Sequence, residues 1–200
     1  MEFWQITSKR AQQTLAVWNR LMPAFCLKSL GTPDLWRMMG ELESCVQART
    51  EALSDYKRAF RAGQEALRDL KKIGKAVAKV LKGHLDDDMP LKQALRTVCR
   101  TIPRTEATIL RRMRELLPLW ERFDTNRAAC LPPQPPLILW QKERVLDVEA
   151  ARGLLSAYEG LVQTIQLKAV VLRERRAALH EHERAIHRLN KRWYQVAKAS

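Results

Sequence analysis

Four residues near the C-terminus come closest to a chemical constellation: His180, His182, Glu183 and His187. On a helix, positions 180 and 182 project about 200° apart, so they cannot share one ion. Glu183 and His187, four residues apart, can. That makes two ligands, and a stable zinc site takes three or four, so the cluster is read as helix surface. His84 followed by Asp86, Asp87 and Asp88 offers a second cation-binding pattern. A triple acid at a helix exit more simply solvates a linker, and it is read that way. The carboxylate pairs Glu41/Glu43 and Glu181/Glu183 face different sides of a helix. No Gly-rich phosphate loop, nucleophile elbow or HExxH run is present. Cys26, Cys45, Cys99 and Cys130 are far apart, form no CxxC pair and are read as reduced thiols. The expectation is a non-enzymatic protein with no catalytic residue, no metal and no cofactor.

Charge is the stronger signal. The net charge of +14 favours nucleic acid, anionic lipid or acidic protein as partner. Residues 57–82 hold nine Lys/Arg against two Asp/Glu, and residues 168–198 hold nine against three. Residues 96–122 add seven against three. Candidate polyanion-binding residues are Arg68, Lys71, Lys72, Lys75, Lys79, Lys82, Arg184, Arg188, Lys191 and Arg192. Lys72, Lys75, Lys79 and Lys82 follow steps of three and four, so they line one strip that could track phosphates or lipid headgroups. The competing reading is a solvated helix face, since Asp69 sits three residues from Lys72 and Arg61 four from Glu65. Trp193 and Tyr194 stand beside such charges and could stack on a base, although Trp193 falls on a core position.

Tryptophan and proline mark a second candidate surface. Trp36, Trp140, Pro132, Pro133, Pro135 and Pro136 together suit a protein partner, because aromatics are common interface anchors. The run 131–136 could dock in a partner's aromatic groove or serve as a stiff spacer. Trp18 and Trp120 read more plainly as structural pegs.

The elements that carry these residues are helices. Ala, Leu, Arg, Glu, Lys and Gln dominate and glycines number seven, a composition of long helices. Residues 5–22 read as a first helix stopped by Pro23. A connector at 23–33 follows, with Thr32 as N-cap and Pro33 at the first helical position. A long helix at about 34–83 carries the four-three ladder Leu42, Val46, Arg49, Leu53, Tyr56, Phe60, Gly63, Leu67, Leu70, Gly74, Val77 and Leu81. Gly63 and Gly74 lie on that seam, which suggests close approach of a neighbouring backbone. An acidic linker at 85–92 precedes a helix from about Leu91 to Phe123, which Pro103 breaks and Pro118 kinks. The connector 124–136 is proline-rich. A final helix at about 137–199 carries the ladder Val148, Ala151, Leu155, Tyr158, Val162, Ile165, Ala169, Leu172, Leu179, Ile186 and Trp193.

The halves look like copies. Tyr56 follows Trp18 by 38 residues, and Tyr158 follows Trp120 by 38. A shift of 102 sets Leu53 on Leu155, Leu70 on Leu172 and Val77 on Leu179. The predicted fold is therefore all-α: an elongated antiparallel helical bundle or coiled coil built from two duplicated helical hairpins, residues 1–84 and 93–200. If each long helix folds back on its own short one, both connectors lie at one end and the basic segments gather at the other. The predicted function is that of a helical interaction or scaffold protein acting through protein–protein contacts or self-association. Polyanion binding, nucleic acid first, is the alternative, and association with anionic membrane the second. The start MEFWQITSKR lacks a signal-peptide core and no apolar run reaches membrane-span length, so a soluble cytoplasmic protein is expected. Export by a route that needs no such signal is compatible with this.

Overall fold

The computed structural model describes residues 3–21, 31–84, 89–141 and 144–199. These form five helices, α1 (Phe3–Leu21), α2 (Thr32–His84), α3 (Met89–Cys99), α4 (Glu106–Ala128) and α5 (Val148–Ala199). One two-stranded hairpin, β1 (Leu139–Gln141) and β2 (Arg144–Leu146), stands before α5. The fold is all-α. Pro23 and Cys26 in the first connector, and Asp86, Asp87 and Asp88 in the linker, lie outside the described residues.

Helix ends follow local chemistry. The α2 start is one residue earlier than predicted: Thr32 is helical, and Gly31 stands before it as the cap. The Gly31 N–H donates to Asp34 Oδ2 at 2.9 Å, so the carboxylate in the first turn reaches back over the helix end. Pro103 does break the third predicted helix, into α3 and α4. Thr105 caps α4 in a reciprocal box with Thr108, whose N–H donates to Thr105 Oγ1 at 3.3 Å. Pro118 lies inside α4, and the helix runs on to Ala128.

The largest departure from the sequence reading is at 137–147, predicted as helix. Leu137, Leu139 and Leu146 are buried, whereas Ile138, Trp140 and Val145 are exposed. That period of two belongs to strands. Antiparallel pairing sets Leu139 opposite Leu146 and Trp140 opposite Val145. The long helix starts only where Asp147 caps it, its Oδ1 accepting from the Ala150 N–H at 2.7 Å. The connector also differs: α4 extends through 124–128, and the proline run folds back on its end. The Gln134 N–H donates to the Arg127 carbonyl at 3.0 Å, and Arg127 Nε donates to the Pro135 carbonyl at 2.9 Å.

Two compact units result, residues 1–58 with 166–200 and residues 59–165. Their boundary falls inside α2 and inside α5, whereas the sequence reading drew its boundary at residues 85–92. In unit 1, Ala11, Leu15 and Trp18 of α1 pack on Leu35, Met39 and Leu42 of α2. Leu179, Ile186, Leu189 and Trp193 of α5 complete that core. In unit 2, the second half of α2 supplies Leu70, Ile73, Val77 and Leu81. Met113, Leu116 and Trp120 of α4 and Ala151, Leu155 and Tyr158 of α5 close over it. The glycines on the α2 seam face side chains rather than a backbone. A Cβ on Gly63 would meet Ile165 Cδ1 at 2.6 Å, and one on Gly74 would meet Met113 Sδ at 2.9 Å.

The antiparallel partner of α2 is α5 in both units. In unit 1, Lys168 Nζ meets Asp55 Oδ2 at 2.9 Å and His182 Nδ1 meets Glu41 Oε2 at 3.7 Å. In unit 2, Ile165 covers Gly63. The short helices α1 and α4 still share cores with α2 and α5 respectively, so α5 joins the expected α1–α2 packing rather than replacing it. Each long helix divides between the units, so the basic segments of α2 and α5 are not gathered in one of them.

Candidate functional site

The β hairpin of unit 2 carries an exposed apolar face on a built mount. Its inner leucines are sealed in the core. Its outer face presents Trp140, 78 % exposed, with Val145 across the strand pair and Ile138 two residues before it on the same face. Such a ring on a paired, core-backed strand costs little entropy to dock. The mount is fixed at its base, where Asp124 Oδ1 accepts the Leu137 N–H at 2.7 Å. Burial pushes the Asp124 carboxyl above its ordinary value, against the lowering effect of that hydrogen bond and of Arg127. Pro132, Pro133, Pro135 and Pro136 are all exposed beside the hairpin in sequence, and Leu131 is almost wholly exposed. Trp36, the other predicted partner residue, is also exposed but belongs to unit 1.

The basic residues divide between the units. Arg68, Lys71, Lys72, Lys75, Lys79 and Lys82 fall in unit 2; Arg184, Arg188, Lys191 and Arg192 fall in unit 1. Lys72, Lys75, Lys79 and Lys82 are exposed, and Lys72 lies 3.8 Å from Asp69. Lys82 also borders a cavity of about 480 Å³ with Lys92 and Arg96 of α3, floored by Ala78 and Leu95. Lys92 and Arg96 were not singled out from the sequence, because only the packing of α3 on α2 and α4 brings them to Lys82. Trp193 is buried against Trp18, ring centroids 5.8 Å apart, and Tyr194 beside it is exposed.

The histidines do not converge. Glu183, paired with His187 in the sequence reading, is instead bonded to His180, Nδ1 to Oε2 at 2.8 Å, and is 2 % exposed. His182 faces Glu41, and His187 stacks obliquely near Phe3. Among the described residues, no three His, Cys, Asp or Glu side chains stand close enough to hold a metal. Among them, too, no helix is long and apolar enough to cross a membrane. Comparison with protein-family models, curated proteins and solved structures gives no match. The chemistry of these surfaces therefore carries the functional reading by itself.

The hairpin was missed in the sequence because its signal is short. Ile138 and Val145 are β-branched and the apolar pattern alternates, but over too few residues to displace the helical ladder that follows.

Proposed function

We propose that the chain is a non-enzymatic helical interaction or scaffold protein that docks a protein partner on the Ile138–Trp140–Val145 face. The observation that carries this is Trp140, 78 % exposed on a hairpin whose opposite face is buried. A net charge of +14 favours an acidic partner. A photoreactive residue in place of Trp140 tests the reading. Crosslinking should capture an acidic protein that a photoreactive residue at Ile102, itself 71 % exposed, does not. Trp140→Ser should then weaken binding of the captured partner roughly thirtyfold, the loss expected of an interface anchor. Identical adducts from both positions would sink the reading.

The duplicated-hairpin origin of the fold belongs to the same proposal. Supporting it, residues 102 apart share burial: Ala11 and Met113, Leu15 and Leu117, Trp18 and Trp120, Leu70 and Leu172, Val77 and Leu179. An elongated antiparallel bundle of two such hairpins would suit a scaffold.

A second reading is polyanion binding on the strip Lys72, Lys75, Lys79 and Lys82. Their common exposure favours it, as does the cavity that Lys82 shares with Lys92 and Arg96. Fluorescence anisotropy with labelled DNA and RNA oligomers should then show binding that collapses between roughly 50 and 200 mM salt. Charge reversal of the four lysines should abolish it, and unchanged affinity would refute the strip.

A further inference from the structure

A cavity of about 480 Å³ lies within unit 2 where α3 meets α2. Its volume is within the range of about 300–1,000 Å³ usual for small-molecule sites. Lys92, Arg96 and Cys99 follow steps of four and three along α3, so one face of that helix brings two cations and a thiol to the cavity. Lys82 of α2 adds a third cation to the lining, and Ala78 and Leu95 make a buried apolar floor. Cys99 is half-buried and carries a free thiol. Its sulfur is held from α4, where Arg112 Nη2 donates to Cys99 Sγ at 3.3 Å. The Nε of the same guanidinium is buried and makes no hydrogen bond. A thiol set among cations, at the wall of a cavity of ligand size, suits a reagent that is both acidic and open to attack by sulfur.

From this juxtaposition we propose that Cys99 is a modification site for acidic disulfides of the glutathione type, the cavity holding the tripeptide that becomes attached. The Cys99 sulfur, as thiolate, attacks one sulfur of glutathione disulfide. A new S–S bond forms between Cys99 and that half, and the old S–S bond breaks. Its electron pair leaves with the other half as a thiolate, which takes up the proton that Cys99 gave to solvent. Cys99 is oxidised to a mixed disulfide and the departing half is reduced to glutathione, so no further oxidant is needed. The attached tripeptide carries more carboxylates than ammonium groups. Arg96 receives them as a planar fork, and Lys82 and Lys92 as point charges. The site shares only Lys82 with the lysine strip and stands whether or not that strip binds a polyanion.

Cys130 supplies the internal comparison, because it is exposed and exposure alone would make it react first. The reduced full chain is incubated at mildly alkaline pH with glutathione disulfide and, in parallel, with cystamine, a disulfide whose ends are ammonium groups. Peptide mass spectrometry follows each adduct with time. Glutathione should appear on Cys99 before Cys130. The rate ratio of glutathione disulfide to cystamine should be about tenfold or more higher at Cys99 than at Cys130, the low end of what a cleft of one sign gives a reactant of the other. Added salt should shrink that difference. The double variant Lys82→Glu, Arg96→Glu should erase it, and because both side chains are exposed its circular dichroism should match the parent. Cys130 reacting first with glutathione disulfide, or equal ratios at the two thiols, would overturn the proposal. A difference that survives in a folded double variant would overturn it as well.

Discussion

Unit 1 and unit 2 solve the same packing problem with different amounts of material. Each lays a short helix on an antiparallel pair made from α2 and α5, and each buries one tryptophan of that short helix completely, Trp18 or Trp120. Unit 2 adds α3 and the β hairpin, and among the described residues its core draws on nineteen buried side chains against ten in unit 1. The added elements seal one side and turn Trp140 outward. Among the described residues of unit 1 the α1–α5 groove stays open, and Asn190 beside it keeps a buried amide oxygen with no hydrogen bond. The same plan thus yields an apolar knob in one unit and an open groove bordered by Arg10 and Lys191 in the other. What differs is what was added around the three helices.

The comparison breaks most visibly at the tryptophans. Trp18→Ala and Trp120→Ala should each cost about 3–5 kcal/mol, read from urea unfolding. Hydrogen exchange should show the smaller core of unit 1 opening more readily after its loss than unit 2 after its own. Equal or reversed protection would mean that core size does not rank the units.

Glycine substitutions give a smaller contrast. Gly74→Val in unit 2 should destabilise by about 1–3 kcal/mol, because its Cβ would press on Met113 Sδ and approach Leu116 Cδ1. Gly40→Ala in unit 1 should stabilise by about 1 kcal/mol, since nothing lies within 4 Å of the new methyl and alanine favours the helix. A loss of stability from Gly40→Ala would reveal a crowding that the structure does not contain.

The pH responses sharpen the contrast further. Tyr158 of unit 2 has its pKa pushed up to about 12 by burial, with a hydrogen bond to Glu106 adding to it. A raised folded-state value means stability that is full below pH 10, the ordinary tyrosine value, and lost as pH rises through about 12. Urea midpoints should fall across that window in the parent and fall less in Tyr158→Phe.

The smallest effect concerns two aspartates with opposite signs. In unit 1, a hydrogen bond and the charge of Lys168 hold the Asp55 carboxyl below its ordinary value. Its contribution is present above the ordinary aspartate pKa and fades as pH falls below it. In unit 2, burial holds Asp124 above the ordinary value, so protonation on acidification relieves the buried charge. Carboxyl NMR titration should place Asp55 below and Asp124 above the usual aspartate midpoint. Lys168→Gln should return Asp55 to it and leave Asp124 unmoved. Because the Lys168–Asp55 pair is largely solvated, its loss should change stability little and less so at high salt.

The sequence by itself determined the helical content and many of the core positions on α2 and α5. Leu42, Leu70, Val77, Leu172, Leu179, Ile186 and Trp193 all lie on the four-three ladders and are all buried. The ladder works because burial on a helix repeats with the turn, whatever the partner. Pro103 likewise marked a true break, since a missing N–H and a clashing ring act locally. The tertiary structure alone decided which helices meet. The α2 ladder does not name its partners, and only the folded chain set it against α5 in both units, beside α1 in unit 1. That choice sent the predicted basic residues to different units and brought Lys82 to Lys92 and Arg96, and Asn190 and Tyr194 to Arg10. The hairpin at 139–146 also needed the core, because Leu137, Leu139 and Leu146 alternate too briefly to declare a strand until there is something to bury them against.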